Sequence, residues 1–193
     1  MSLKSGYGKS TDLNTTEELQ INESLLNKIT KILSIVLEEN KTSDNYKEKL
    51  SLQKNMSFTS YNKPWLSIIQ YLYRIQNYTE AEDNTIIIAL MYIDRLCEIS
   101  SLLLTPYNIH RIIFVSILLA IKYNEDICFG FDFYAKIGGI SICELKKLER
   151  DFVCLIRFKF YMDKSEFDNY KSYINDIECD EKNWYFNFLF FLY

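Results

Sequence analysis

The sequence predicts an all-helical domain, and three observations support this prediction. Glycine and proline are scarce, with 5 Gly and 2 Pro among 193 residues, whereas all-β domains use both at their many turns. Apolar residues recur at helical spacing through most of the chain. One segment is apolar on nearly every face, as expected of a helix that other helices surround. The abundant Ile and Tyr residues favour strands, but only weakly.

The first predicted helix begins at the capping box Thr15–Glu18 and ends near Asn40. Its apolar residues, from Leu19 to Leu37, lie on one stripe of the helix surface. Residues 41–54 follow it and are predicted to be a charged connection with few apolar side chains.

Five helices of unequal length are predicted from Pro64 to Phe160. Pro64 opens the first of them, because its missing N–H costs nothing in a first turn, and Trp65 is expected on the buried side. A second capping box, Thr79–Glu82, starts the next helix, which runs to about Ile99.

The third of these helices is the segment that is apolar all round. Thr105 and Pro106 form its start signal, an N-cap followed by proline at the first helical position, and it ends near Asn124. Such a helix must be enclosed by others, so we expect it to form the centre of a bundle. Its apolar run, residues 112–121, is about half the ~20 residues that a membrane-spanning helix needs.

Glycine and capping signals delimit the remaining helices. A short fourth helix over residues 131–137 stops at Gly138 and Gly139, a pair suited to a left-handed C-cap. The capping box Ser141–Glu144 starts the fifth helix, and residues 163–166 start a further helix beyond the five.

Charge and the N-terminal residues limit the classes of partner. The net charge of −4 argues against nucleic acid as the main partner, because neutralising phosphates requires clustered Lys and Arg. The N-terminus lacks the apolar run of a signal peptide, and Ser2 stands where a myristoylation signal requires glycine. We therefore expect a soluble intracellular protein, cytoplasmic or nuclear, with no membrane or nucleic-acid partner.

The residues that usually carry chemistry are sparse. The five cysteines are Cys97, Cys128, Cys143, Cys154 and Cys179. None forms a C-x-x-C pair, and no cysteine lies at ligand spacing from the lone His110, so we expect neither a metal site nor a disulfide framework. No phosphate-binding glycine motif occurs, and His110 has no candidate nucleophile. The sequence therefore predicts no catalytic residue and no small-molecule cofactor, with His110 as a partly buried structural residue.

Three sequence patterns occur along the five-helix segment. They are F-x-S-x-x-x-P-x-x-S-I-x-x-Y-L-x-R-I over residues 58–75, A-x-x-Y-I-D-R over 89–95, and Y-A-K-I-G-G-I over 134–140 with E-L-x-x-L-E-x-x-F over 144–152. The third is the most specific, because its length, its glycine pair and the acids after it match together. These patterns resemble the cyclin box, and most closely that of the P/U-type cyclins, the group that includes the yeast phosphate-starvation cyclin.

The resemblance implies the cyclin fold, a single five-helix cyclin box around a central buried helix with flanking N- and C-terminal helices. We expect residues 1–57 to hold a tail, the amphipathic helix and a linker, residues 58–160 the cyclin box, and residues 161–193 a C-terminal helical extension. The last residues, 184–193, are almost all apolar and must pack on this protein or on a partner.

The resemblance also implies a non-catalytic regulatory subunit that binds and activates a cyclin-dependent protein kinase. Cyclins dock on the mobile helix of the kinase and hold it inward, so that the kinase's own Lys–Glu ion pair can position ATP. A Lys ending the central helix and a Glu on the fifth helix carry the central polar contacts, and these positions match Lys122 and Glu149. Apart from the resemblance, Lys122 could complement the helix C-terminus and Glu149 could be a solvated acid.

The family's structural positions match Pro64, Tyr92, Asp94 and the glycine pair. In many cyclins the Asp at the position of Asp94 pairs with a buried Arg near the start of the first box helix. No Arg occurs at residues 65–67, so we expect Lys63 or a backbone amide to take its place. The Met-Arg-Ala-Ile-Leu docking patch of cell-cycle cyclins is also absent.

The sequence is also compatible with two other functions. A cyclin fold can serve as a scaffold or substrate adaptor without activating a kinase, because a fold alone does not determine function. A helical enzyme or ligand-binding protein would need a cluster of polar residues inside the bundle, and the sequence shows none.

Overall fold

The computed structural model describes residues 21–177, and it confirms the all-α class, with helices and no strands in this range. The helices of the described range are α1 Glu23–Thr42, α2 Tyr46–Gln53, α3 Ile68–Thr79, α4 Asp83–Ser100, α5 Ile109–Asn124, α6 Phe131–Gly138, α7 Ile142–Leu155 and α8 Lys164–Asp176. The predicted set of five corresponds to α3–α7, with α5 as the third and the short α6 as the fourth.

The fold is organised around α5, which packs against α3, α4, α6 and α7. Ile109 and every residue from Ile112 to Ile121 are buried. The one polar residue in this stretch, Ser116, donates its hydroxyl to the carbonyl of Ile113 at 2.8 Å, so its burial leaves no donor unpaired. The prediction of a central helix enclosed by its neighbours is confirmed.

The start of α3 differs from the prediction. The helix begins at Ile68, because Ser67 and Gln70 form a reciprocal capping box that satisfies two backbone donors. Pro64 therefore lies before the helix rather than in its first turn. Trp65, which was expected on the buried side, is 90% exposed.

The starts of α4 and α5 were also predicted too early. Thr79 is the last residue of α3, and its hydroxyl donates to the Ile75 carbonyl at 2.9 Å instead of capping α4. Glu82 is the N-cap of α4. Thr105 forms a turn before α5, because the side-chain oxygen of Asn108 accepts from its backbone N–H at 2.8 Å and Asn108 becomes the N-cap.

The N-terminal part of the fold contains one helix that the sequence did not predict. Residues 46–53 form α2 within the expected charged connection. The helix α1 begins at Glu23, where the side chain of Asn22 accepts from the N–H of Leu25. It packs on α3 and α8. The predicted capping box Thr15–Glu18, Cys179 and the aromatic residues 184–193 lie outside the described residues.

The predicted cap residues of the last three helices are confirmed, but the Glu144 side chain does not complete the predicted capping box with Ser141. Gly139 ends α6 with φ of +67°. The hydroxyl of Ser141 accepts from the N–H of Glu144, and the carboxylate of Asp163 accepts from the N–H of Glu166. These are the side-chain acceptors that a helix N-terminus needs for its unpaired backbone donors.

Two neighbouring residues of α4 form hydrogen bonds and an ion pair with α8 and with the segment before it. The guanidinium of Arg95 donates to the carbonyls of Lys159 at 2.8 Å and Tyr161 at 2.9 Å, and it pairs with Glu166 at 2.9 Å. Asp94 accepts a hydrogen bond from the hydroxyl of Tyr170 on α8. The expectation that Lys63 or a backbone amide pairs with Asp94 was therefore wrong.

The surroundings of Asp94 favour its neutral form. Burial raises the pKa of this carboxyl to about 7, the charge of Glu98 acts in the same direction, and the hydrogen bond from Tyr170 opposes both. Cys97 on α4 and Tyr173 on α8 also lie within electrostatic range of Asp94. A carboxyl with a raised pKa resists charging, since ionisation places an anion where water cannot fully solvate it.

We predict that Gly138→Ala destabilises the fold by about 1–3 kcal/mol, because the new methyl would overpack the core. An ideal Cβ at Gly138 would lie 2.5 Å from Cε1 of the buried Phe114. Urea denaturation measures the effect. At Gly139 nothing lies within 4 Å of a Cβ, so its variants test only the left-handed backbone. Gly139→Asn should then be milder than Gly139→Ala. A Gly138→Ala protein as stable as wild type would contradict this account.

We predict that Asp94→Asn removes a loss of stability that wild type suffers as the pH rises from acidic to neutral. The folded pKa of about 7 lies above the ordinary value of 3.8, so the stabilisation is complete below about pH 4 and is lost as the pH rises through 7. Between pH 5 and pH 8, wild type should lose about 2 kcal/mol relative to the variant. Urea denaturation of both proteins at the two pH values tests this.

A matched control for this prediction is Tyr170→Phe, which removes the donor from Asp94 but leaves the carboxyl in place. Its destabilisation should be larger at pH 8 than at pH 5, because the charged carboxylate needs the hydrogen bond more than the neutral acid does. Parallel pH dependences in wild type and Asp94→Asn would refute the assignment to Asp94.

Candidate functional site

The two residues that the resemblance assigns to partner binding lie in contact. Lys122 is in the last turn of α5 and Glu149 is in the middle of α7, two helices that pack together. The ammonium of Lys122 donates to Oε1 of Glu149. Their side chains are 28% and 18% exposed, so this ion pair is partly shielded from water but reaches the surface. The structure thus places both residues on one surface.

A third helix contributes to the same point. The ammonium of Lys122 lies over the ring of Phe131, the first residue of α6, at 4.0 Å from the ring centroid. Lys146 on α7 lies over the same ring at 5.2 Å. Lys122 is therefore held between a carboxylate from α7 and an aromatic face from α6. The lysine also lies in the last turn of α5, where a cation complements the C-terminus of the helix.

An exposed aromatic patch, Tyr123, Phe158 and Tyr161, lies beside the C-terminus of α5. Their exposed fractions are 55%, 70% and 75%. The three side chains line one shallow cleft, where Tyr123 stacks on Phe160 with ring centroids 5.5 Å apart. Large exposed aromatic side chains that lie together are typical of an interaction surface.

The backbone that carries Phe158 is in a costly conformation. Arg157 and Phe158 have φ of +54° and +59°, in the left-handed region that residues other than glycine rarely adopt. The turn is held by the N–H of Phe158, which donates to the carbonyl of Val153 at 3.0 Å. Each left-handed residue costs roughly 1–2 kcal/mol, so the surroundings must stabilise this turn.

Tyr92 helps to hold the chain that follows this turn. Its side chain is fully buried, and its hydroxyl donates to the carbonyl of Phe160 at 3.3 Å. The rings of Tyr92 and Phe160 meet edge to face with centroids 5.4 Å apart. With Arg95, which binds the carbonyls on either side of Phe160, Tyr92 keeps the aromatic patch in place.

His110 lies away from this surface and has a structural environment. Its Nε2 is 2.8 Å from the carbonyl of Leu66, so the nitrogen carries the proton that the carbonyl accepts. Burial lowers the pKa of the imidazole, which favours the neutral ring. Nδ1 is buried and has no hydrogen-bond partner within residues 21–177. Pro64 lines the same shallow groove as His110.

One ion pair between α5 and α7 was not predicted. Nε and Nη2 of Arg111 both donate to Oε1 of Glu144, at 3.0 Å and 2.6 Å. The sequence assigned Glu144 only to a capping box, in which its carboxylate would bind a backbone donor. Arg111 and Lys122 lie at opposite ends of α5, so the same two helices are bridged twice.

Within residues 21–177, no cluster of three or more His, Cys, Asp or Glu side chains has an arrangement that could hold a metal ion. No helix in this range has both the length and the apolar character that crossing a bilayer requires.

Comparison with known proteins identifies the family. The model of the Cyclin family matches residues 16–161. Cyclin-U4-3 and Cyclin-U4-2 of Arabidopsis thaliana are 37% and 34% identical to this chain over 152 residues, which is 78% of this chain and 67% and 70% of those proteins. Cyclin-P3-1 of Oryza sativa subsp. japonica is 33% identical over 113 residues, 58% of this chain and 48% of that protein.

The family model covers well over half of the chain, and the U4 relatives exceed 30% identity across most of it. The all-helical fold around α5, with the glycine-capped α6 before α7, agrees with this match. The chain belongs to the cyclin family, and its relatives are P- and U-type cyclins.

Proposed function

We propose that this chain is a non-catalytic regulatory subunit that binds and activates a cyclin-dependent protein kinase. Cyclins as a family regulate such kinases, which supports the general role. The observation that carries the specific proposal is the contact of Lys122 with Glu149 on a partly exposed surface. The two residues were selected from the sequence by resemblance alone, and 27 positions separate them.

The proposed kinase-binding surface consists of Lys122, Glu149 and the aromatic patch of Tyr123, Phe158 and Tyr161. The Glu149 carboxylate can accept from backbone N–H groups of the kinase helix, and the Lys122 ammonium can donate to its carbonyls. The ion pair aligns the two groups before the partner arrives, so less side-chain entropy is lost on binding. The exposed aromatic side chains provide the apolar contact area that dominates many interfaces.

Activation would follow from preferential binding to one state of the kinase. A cyclin surface that fits the inward position of the mobile kinase helix shifts the population towards that state. The Lys–Glu ion pair of the kinase then forms and positions ATP. The surface on this chain needs a fixed shape for this role, and Tyr92 and Arg95 provide that support behind the aromatic patch.

We predict that Lys122→Ala/Glu149→Ala loses kinase binding. The experiment is affinity capture from the native lysate with wild type and the double variant, followed by a kinase assay of each eluate. Removing Glu149 leaves kinase backbone donors buried and unpaired, which should cost roughly 1–3 kcal/mol of binding free energy. The retained kinase and its activity should therefore fall strongly in the variant.

The chain offers a matched control, Arg111→Ala/Glu144→Ala. This pair also bridges α5 and α7, at the other end of α5. Its removal tests the effect of losing any such ion pair and should leave kinase capture intact. Equal capture by wild type and Lys122→Ala/Glu149→Ala would disprove the proposed surface while keeping the regulatory role. A folded wild type that captures no kinase would favour the adaptor function instead.

A further inference from the structure

Phe131, the first residue of α6, contacts the proposed kinase-binding surface through the side chain of Lys122. The Lys122 ammonium lies 4.0 Å from its ring centroid and at the same time donates to Glu149. Phe131 is only partly buried, and it packs against the edge of the core. The aromatic ring therefore meets the apolar core on one side and the charged lysine on the other.

The lysine side chain has four rotatable bonds, so one carboxylate alone does not define its position. A ring face offers a broad region of negative potential, which attracts a nearby cation. Together the ring and the carboxylate hold the ammonium from two directions. Without the ring, Lys122 could take other rotamers. The Lys122 ammonium would then not be in place beside Glu149 when a partner binds.

We propose that Phe131 is a positioning residue that holds Lys122 against Glu149 and so sets the affinity for the kinase. The effect on kinase affinity rests on the proposed function. The position of Lys122 in the free protein does not. Phe131 acts through Lys122, and it needs no contact with the partner.

The free protein provides the first test. Protons that lie over an aromatic face resonate upfield, so the ε-methylene protons of Lys122 should be shifted upfield in wild type. Phe131→Leu should abolish this shift, and Phe131→Tyr should retain it because the ring face is kept. Phe133→Leu is the matched control, since Phe133 is also a partly buried aromatic residue of α6. An unshifted Lys122 in wild type would overturn the proposal without any reference to a kinase.

Kinase binding provides the second test, in the background of Lys122→Met. Phe131→Leu should weaken binding by about two- to fivefold in wild type and leave it unchanged when Lys122 is already Met. Phe131→Tyr should bind like wild type. The proposal is overturned if Phe131→Leu weakens kinase binding by the same factor with Lys122→Met as without it. It is also overturned if Phe133→Leu loses as much affinity as Phe131→Leu, because either result would show a general packing effect. If wild type captures no kinase, the proposed function fails, whereas the proton shift still decides whether Phe131 positions Lys122.

Discussion

The enclosure of α5 is the constraint on which the rest of the structure depends. Each fully buried Ile, Leu, Val or Phe side chain contributes about 1.5–3 kcal/mol to folding stability relative to an exposed one. A helix that is apolar on every side is therefore stable only when other helices pack on all of its sides. The helices α3, α4, α6 and α7 fill those positions. The buried run stops at Ile121, and Lys122 is the first residue after it that reaches water. The proposed kinase-binding surface therefore begins where the core ends.

Hydrogen bonds from α4 shape the second part of that surface. Arg95 and Tyr92 bind successive carbonyls of residues 159–161, and the turn before them contains left-handed Arg157 and Phe158. The aromatic patch is thus held by a helix far away in the sequence as well as by the local hydrogen bonds of its own turn. Rigid support of this kind reduces the entropy lost when a partner binds.

Local signals compete at several helix ends, and the structure departs from the prediction there. The sequence around α3 holds two start signals, Pro64 and the capping box at Ser67, and the one that satisfies two backbone donors determines the helix start. The helix α2 was missed because it buries only Gln53 and leaves Leu52 74% exposed, so no apolar stripe marks it. The partner of Asp94 could not be predicted, because Tyr170 is 76 positions away and belongs to a helix outside the five.

The sequence by itself determined the helical class, the identity of the central helix and the caps that end α6 and start α7, because these depend on local spacing and on nearby side-chain acceptors. It also placed Lys122 and Glu149 on adjacent helices through the family resemblance. Only the tertiary structure decided that these two residues meet, that Phe131 lies against the lysine, and that the partly buried Asp94 accepts a hydrogen bond from Tyr170. Such contacts arise from how the helices pack around α5, and packing brings together residues whose separation in the chain carries no local signal.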